Sequence, residues 1–415
     1  MVVDHTTYRR GRIVTSLQDT RILVADDQTD VAETLCAVLR ANGASLTVVD
    51  NGEEAISKIT TETFDLAIID MKMPPGEWGG LWLLERFREE KICIPTLVLS
   101  GEGTKRQTIE AMRLGAVDWV DKSVADEELL RQCSSIIDDC LSRALENAGH
   151  FLPITLAVRY TRYLQLDDTE SATMEGLRII EGFLKFAGIV GFSTLEPSPL
   201  RATRASQLTK PSFGTWFAIC TELSKRTNNG GPFFSLMQCL IPDQTMRDRF
   251  QKIVHMRNTI SHSGYIPSRM DRQSLERTLS LIAHRLISLW HFEIVLPISM
   301  TYDGTRFSHS VLRVVGSGQS KRGIVEVQRP LKTAQLAISG QKYPPQSLSP
   351  WLVVGSSQEP REVQCYIYDG IKTRQRDSIP ADAQLVYSNV RNGQRESPPG
   401  SIVQTWSDIS NWTLP

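Results

Sequence analysis

Acidic, hydroxyl and ammonium side chains follow short apolar runs in the first 125 residues. Asp26 and Asp27 come directly after RILVA, and Asp70 ends the run LAIID. Ser100 ends PTLVLS, and Lys122 follows VDWVD. In an open parallel sheet, the loops at the carboxyl ends of the strands converge on one crevice. We therefore expect these side chains to meet at a single site.

Three carboxylates at one site repel one another strongly, so they need a cation. Ligands that are all oxygen favour Mg²⁺, which keeps several waters and readily takes a phosphate oxygen. The Ser100 hydroxyl and the Lys122 ammonium could hold the remaining oxygens of a phosphoryl group carried on one aspartate. The pattern thus predicts a phosphorylated aspartate with Mg²⁺ as cofactor.

The elements that must position these residues alternate between strand and helix. The strand candidates are rich in Val, Ile and Leu, as expected of strands buried on both faces. Repeated βα units imply right-handed crossovers and a parallel sheet, so we predict an α/β fold. The five predicted strands lie at 21–25, 45–49, 66–69, 94–99 and 117–120.

Residues 20–147 resemble the receiver domain of two-component response regulators, because the acidic pair, the aspartate, the serine and the lysine occur in that family's order. The resemblance implies a five-stranded, doubly wound, flavodoxin-like sheet. It implies that Asp70 is the phospho-acceptor. Asp27 is then a direct Mg²⁺ ligand, Asp26 acts through water, and the backbone carbonyl of Lys72 completes the protein's share of the coordination.

The same resemblance implies that Ser100 and Lys122 contact the phosphoryl group and that Trp119 takes the place of the aromatic switch residue. A partner histidine kinase would supply the phosphoryl group, and the receiver's own pocket would catalyse its transfer and later hydrolysis. Lys72 and Glu102 occupy positions that tune phosphate lifetime in the family, and we predict that they pair across the mouth of the pocket.

Composition limits the other possibilities. Lys and Arg number 16 and Asp and Glu 26 in residues 1–147, a net charge of −10, whereas residues 148–300 carry +5 and residues 301–415 carry +4. This mild basic excess leaves RNA contact open but disfavours DNA binding. No apolar run reaches the roughly 18–20 residues of a membrane span. Seven scattered cysteines fit reduced thiols, so we expect a cytoplasmic protein.

Beyond the receiver we predict an all-helical domain at 151–298 and a small β-rich domain at 299–415, with residues 1–19 as an N-terminal extension. The last receiver helix has an apolar stripe that continues to Gly149. That stripe leaves three alternatives open: a contact in a homodimer, a helix that passes motion into the next module, or a long helix lying across its own domain. The last helix of the helical domain is predicted near 271–297, and short apolar runs between Gly, Ser and Pro turns suggest a small antiparallel sheet after it.

The string RNTISH at 257–262 is a second chemical signal. Asn258 and His262 share a helix face, with Arg257 beside them. The string resembles the Arg-Asn-x-x-x-His signature of HEPN domains, all-helical modules that include metal-independent ribonucleases working as dimers. The alternative is a polar helix end, where Arg and His bond the last carbonyls.

These signals lead to one interpretation and one alternative. The preferred interpretation is a response regulator that controls a binding or adaptor output and could also drain phosphate from its kinase. The alternative is a phosphorylation-controlled ribonuclease that uses Arg257 and His262, so whether the second module is an enzyme stays open.

Overall fold

The structure is a computed structural model. It describes residues 17–101, 105–123, 126–201, 203–227, 230–340, 343–355, 363–373, 379–400 and 403–413. Most of the predicted N-terminal extension therefore lies outside the described residues. Two compact units, Met1–Ser142 and Arg143–Pro415, make up the chain. No helix of the described part is both long and apolar enough to cross a membrane.

The first unit contains a five-stranded sheet in the order β2-β1-β3-β4-β5 with every neighbouring pair parallel. This confirms the predicted α/β receiver fold. The central strand is buried at all five positions, which explains its unbroken apolar sequence. The strands are β1 Arg21–Ala25, β2 Ser45–Val49, β3 Leu66–Asp70, β4 Thr96–Ser100 and β5 Asp118–Asp121.

Six helices of the described residues accompany this sheet, and the last of them passes the boundary between the two units. Its predicted apolar stripe is buried, from Leu129 at 1% exposure to Leu145 at 1%. The helices are α1 Thr29–Leu35, α2 Ala37–Ala41, α3 Gly52–Thr61, α4 Gly79–Glu90, α5 Lys105–Leu114 and α6 Asp126–Phe151.

The second unit begins with helices that surround a central apolar helix, α8, which packs against α7, α10, α11 and α13. Glycines in α8 permit this close packing, because a Cβ on Gly188 would lie 2.8 Å from the Trp216 ring. The helices are α7 Ile154–Tyr163, α8 Thr169–Thr194, α9 Ala205–Leu208, α10 Phe213–Ser224, α11 Gly231–Leu240, α12 Gln244–Ser263 and α13 Arg269–Leu289.

The predicted helix near 271–297 is wrong in its second half. Helix α13 ends at Leu289, Trp290 is already extended, and a strand begins at Glu293. The run IVLPI can be read as the apolar face of a helix or as a buried strand, because short apolar runs do not distinguish the two. β-structure therefore starts before residue 299.

The rest of the second unit forms two antiparallel sheets, where the sequence suggested one small sheet. The first has the order β10-β9-β6-β7-β8 and the second β11-β12-β13-β14. The strands are β6 Glu293–Tyr302, β7 Phe307–Arg313, β8 Lys321–Val327, β9 Ala337–Gly340, β10 Tyr343–Ser347, β11 Leu352–Gly355, β12 Gln364–Ile371, β13 Leu385–Asn389 and β14 Arg395–Glu396.

An ion pair and an aromatic cluster join the helices of this unit to the second sheet. Lys185 of α8 reaches Asp369 of β12 with a nitrogen–oxygen distance of 2.9 Å, and the two side chains are 13% and 23% exposed. Tyr368, next to Asp369, donates its hydroxyl to the carbonyl of Leu208 at 2.6 Å. Phe192 of α8 stacks on Trp351 with ring centroids 4.4 Å apart.

We predict that Asp369→Asn lowers the free energy of unfolding by about 2–4 kcal/mol, because it leaves the Lys185 ammonium without its partner in a mostly buried place. Urea unfolding followed by circular dichroism measures the change. In the matched control Glu90→Gln, which loosens the exposed pair with Arg86, the expected change is at most about 1 kcal/mol. Equal effects of the two substitutions would contradict a stabilising role for the buried pair.

Candidate functional site

The strand ends of the first unit bring the predicted acidic residues together. Ala25 pairs with Ile69, so Asp26 follows β1 at the level where Asp70 ends β3. Carboxylate oxygens of Asp26, Asp27 and Asp70 all lie within 4.8 Å of one another. Asp26 and Asp70 are buried, while Asp27 is exposed. The predicted convergence at the carboxyl edge of the sheet is thus present in the structure.

Lys122 supplies the positive charge at this cluster. Its ammonium lies 2.7 Å from Oδ2 of Asp26 and 3.2 Å from Oδ1 of Asp70. It can reach them because β5 ends one residue earlier, where Asp121 pairs with Ser100 of β4. The other oxygen of Asp26 accepts a hydrogen bond from the backbone of Gln28 at 3.0 Å. Asp26 is therefore fixed at both oxygens.

The ionisation of the pocket reflects a balance between burial and charge. Burial raises the pKa of Asp70, the Lys122 ammonium lowers it, the charge on Asp26 raises it again, and the net effect is an increase. Burial also opposes the charge on Lys122, but the hydrogen bond to Asp26 and the charge of Asp70 outweigh it and raise the pKa of Lys122. Lys122 is therefore favoured as a cation, and it offsets part of the effect of burial on the pKa of Asp70.

The donor set fits a divalent cation that prefers oxygen ligands. Three carboxylates and one ammonium leave two negative charges uncompensated, which Mg²⁺ would balance. Asp27, the most accessible of the three, also lines a cleft of about 310 Å³ together with Asp50 and Glu53. The cleft gives access to the acidic cluster from solvent and extends its negative field.

Comparisons with known proteins agree with this geometry. A family model of the response regulator receiver domain matches residues 22–134. The response regulator MprA of Mycobacterium avium is 32% identical over 165 residues, which are 38% of this chain and 72% of that protein. The chain belongs to the response regulators. FixJ of Bradyrhizobium diazoefficiens, a transcriptional regulatory protein, is 28% identical over 189 residues, 46% of this chain and 87% of FixJ.

The match is shorter in another relative. An NtrX-like response regulator of Rickettsia bellii is 26% identical over 109 residues, which are 26% of this chain and 23% of that protein. The chain thus spans about a quarter of that relative's length. The similarity of this response regulator to its relatives therefore supports the presence of a receiver domain more directly than it supports a particular output activity.

Two glycines of this response regulator hold the loop that follows Asp70 against helix α4. The backbone N–H of Gly79 donates to the carbonyl of Met73 at 2.9 Å. A Cβ on Gly80 would lie 2.4 Å from the carbonyl oxygen of Asp70, and one on Gly79 would lie 2.1 Å from that of Met73. Only residues without a side chain fit here, which explains the Gly-Gly pair at the start of α4.

Four further residues were assigned roles in the receiver: Lys72, Ser100, Glu102 and Trp119. The Lys72 side chain is exposed, and its backbone N–H donates to Asp70. Trp119 is half-buried on β5, and its indole Nε1 is buried without a hydrogen-bond partner among the described residues. The side chain of Ser100 and the whole of Glu102 lie outside the described part, so the roles assigned to them, and the pairing of Glu102 with Lys72, stay predictions.

The string RNTISH lies in the last turns of α12, which ends in left-handed Gly264 at φ 66°. Asn258 and His262 are exposed, whereas Arg257 is half-buried. None of the three side chains forms a hydrogen bond or ion pair with the described residues. They do not cap the helix end with their side chains, but His262 lies in the last turn, where the helix dipole favours a basic residue, so the polar-helix-end alternative stays open.

Sequence reasoning missed Glu181, which lies close to Arg257. Glu181 and Lys185 are four apart on α8, a spacing that reads as an ordinary pair on a helix surface. Burial raises the pKa of Glu181 although Arg257, Lys185 and Arg159 all lie close enough to lower it. A half-buried carboxylate without a hydrogen bond in the described part, facing a half-buried guanidinium, is the kind of arrangement found at binding and catalytic sites.

We predict that Mg²⁺ raises the midpoint of thermal unfolding of the receiver, because the cation binds only where folding brings the three carboxylates together. At a concentration 100 times its dissociation constant, the ion should add about 2.7 kcal/mol. Asp27→Asn should remove most of this stabilisation, whereas Asp30→Asn, an exposed residue of α1 outside the cluster, should keep it. A melting curve followed by tryptophan fluorescence makes the comparison, and equal stabilisation of the two variants would contradict the site.

Proposed function

We propose that this response regulator receives a phosphoryl group on Asp70 from a partner histidine kinase, with Mg²⁺ as cofactor. The observation that carries the proposal is the position of Lys122 between Asp26 and Asp70 at the end of β5. A structural ion pair needs only one carboxylate, whereas the Lys122 ammonium contacts the carboxylates of Asp26 and Asp70, and the carboxylate of Asp27 belongs to the same cluster.

The chain's own residues account for the transfer step. An oxygen of the Asp70 carboxylate attacks phosphorus as the bond from phosphorus to the donor nitrogen breaks, and the kinase histidine leaves. Lys122 favours the ionised form of Asp70 before the attack and can pair with a phosphoryl oxygen afterwards. Asp26, Asp27 and the Lys72 carbonyl would hold the cation, which would supply positive charge against the phosphoryl oxygens. Ser100 would contact a further phosphoryl oxygen.

Trp119 is proposed as the switch residue. Its buried Nε1 has no partner among the described residues. An indole N–H left without a hydrogen bond costs free energy, so a second arrangement of this side chain that satisfies it becomes accessible at little cost. If Lys122 moved away from Asp26 towards a phosphoryl group on Asp70, the packing around Trp119, three residues earlier in the chain, would change.

We expect acetyl phosphate or a cognate kinase to label the protein only when Mg²⁺ is present. Asp70→Asn should abolish labelling, and Asp27→Asn should reduce it to near background by removing a metal ligand. Labelling with ³²P followed by gel electrophoresis is the measurement. The matched control is Asp121→Asn, whose carboxylate accepts from the backbone of Ser123 outside the cluster, and it should still be labelled. Undiminished label on the Asp70 variant would refute the assignment.

We favour a binding or adaptor output in the cytoplasm over an enzymatic one. A second candidate, a metal-independent ribonuclease, is supported by the half-buried Glu181 close to Arg257. There, His262 would transfer a proton and Arg257 would stabilise phosphate charge. We prefer binding because His262 is exposed at the end of α12 while Arg257 turns towards α8, so the two do not share one enclosed site among the described residues.

We expect phosphorylated and unphosphorylated protein to leave total RNA and transfer RNA intact in the absence of metal. A general acid or base typically contributes about 10²–10⁴-fold to a rate, so a true nuclease would lose most activity in His262→Ala and in Arg257→Ala. Gel analysis of the RNA decides between the two outputs. Cleavage that needs both side chains would make the ribonuclease the function of this unit.

A further inference from the structure

The hairpin formed by β6 and β7 extends beyond β9 and β10 of its sheet, whereas β8 pairs with β7 as far as Phe307. Every residue from Ile298 to Arg306 is exposed. Its turn is nevertheless fixed, because the Asp303 carboxylate accepts hydrogen bonds from the backbones of Thr305 at 2.7 Å and Arg306 at 2.8 Å. These N–H groups lower the pKa of Asp303 to about 2. The tip of this hairpin is therefore an ordered structure.

Two aromatic rings lie side by side near the tip. Tyr302 and Phe307 are cross-strand partners, and their rings stack with centroids 4.6 Å apart and planes at 30°. Tyr302 is 58% exposed, and its hydroxyl donates to the carbonyl of Gly304 at 2.7 Å. Met300 precedes Tyr302 on the same face and is 46% exposed. We name these three side chains the hairpin platform.

Three basic residues belong to the end of the sheet that carries the hairpin platform. They are Arg306, Arg329 and Lys332, against the acidic Asp303 and Glu326, whereas the other basic residues of 299–332 lie at the opposite end, where Arg313 pairs with Lys321. Strand β8 ends at Val327, opposite Phe307, so Arg329 follows directly beside the platform. The chain then turns back across the sheet, where Leu331 donates its backbone N–H to His309 at 3.0 Å.

The basic residues around the platform are not used by the fold. Arg306 has a single exposed contact with Glu326 at 3.7 Å. Arg329 and Lys332 are exposed and form no ion pair with the described residues. The exposed Tyr302 ring beside the half-buried Phe307, with the exposed cations Arg329 and Lys332 nearby, resembles the surface that binds single-stranded nucleic acid, in which bases stack and phosphates meet Lys or Arg.

We propose that the hairpin platform binds single-stranded nucleic acid without sequence preference. Successive bases stack on Tyr302 and Phe307, and Arg306, Arg329 and Lys332 contact the phosphates. A duplex is excluded as the preferred ligand, because its base faces are stacked on one another and cannot reach the rings. The hairpin platform shares no residue with the Asp70 pocket or with the Arg257 site, so the proposal depends neither on phosphotransfer nor on the ribonuclease candidate.

The test uses the full chain and fluorescein-labelled oligouridylate and oligothymidylate in fluorescence anisotropy. Wild-type protein should bind both strands and bind the corresponding duplex more weakly. Tyr302→Ala should weaken binding by about 5- to 150-fold, the range expected for one base–aromatic stack. Tyr302→Phe keeps the ring and loses only the hydroxyl, so it should bind almost as wild type. The double variant Arg329→Gln/Lys332→Gln should lower the salt dependence of binding.

Control variants distinguish binding at the hairpin platform from binding elsewhere on the chain. Ile324 is 67% exposed on the opposite face of the same sheet, so Ile324→Ala should bind as wild type. Arg257→Ala should also leave binding unchanged, and thermal melts show whether Tyr302→Ala folds. The proposal is overturned if no oligonucleotide binds, if folded Tyr302→Ala binds as wild type, or if Arg257→Ala abolishes binding. It is also overturned if the platform variants lose adhesion to anionic vesicles but not affinity for the oligonucleotides.

Discussion

Repulsion between the carboxylates at the ends of β1 and β3 is the constraint on which the receiver depends. Asp26 is 1% exposed and Asp70 5%, so water cannot screen them from each other, and close like charges are costly in such a place. Lys122 relieves the repulsion only if the fifth strand ends at the right level. The order and register of the sheet are thus tied to the same charges that make the site reactive.

The second unit shows how a site differs from a structural ion pair. Glu175 on α8 is 1% exposed and is held by Arg159 and Arg178, at 3.2 Å and 3.1 Å. Further along the same helix, Glu181 is near three cations yet forms no hydrogen bond with the described residues, and its pKa is raised. A satisfied buried carboxylate stabilises the fold, whereas an unsatisfied one is retained at a cost and is available to a ligand.

The receiver was predictable because its signals are local. Each predicted site residue ends or follows an apolar run, so the same short stretch of sequence indicates both the strand and the chemistry at its end.

Glu181 was missed because it is more than seventy positions away from Arg257 in the sequence. Its spacing of four from Lys185 is common on helix surfaces and gave no separate signal. The division of β6 to β14 into two sheets was missed for a similar reason, because alternation identifies strands but not their partners. The hairpin platform could be found only once Tyr302 and Phe307 were known to be opposite each other.

The distribution of charge limits how the proposed phosphorylation of Asp70 could reach an output. A phosphoryl group adds about −1.5 to −2 charges at neutral pH, and salt screens exposed charges beyond about 8–10 Å. Its direct electrostatic effect is therefore confined to Lys122, Asp26, Asp27 and their immediate neighbours. An effect on more distant residues therefore requires a change in the position of side chains or helices. The elements able to carry it begin at Lys122 itself, since Trp119 lies on the same strand and α6 starts at Asp126 and runs without a break to Phe151.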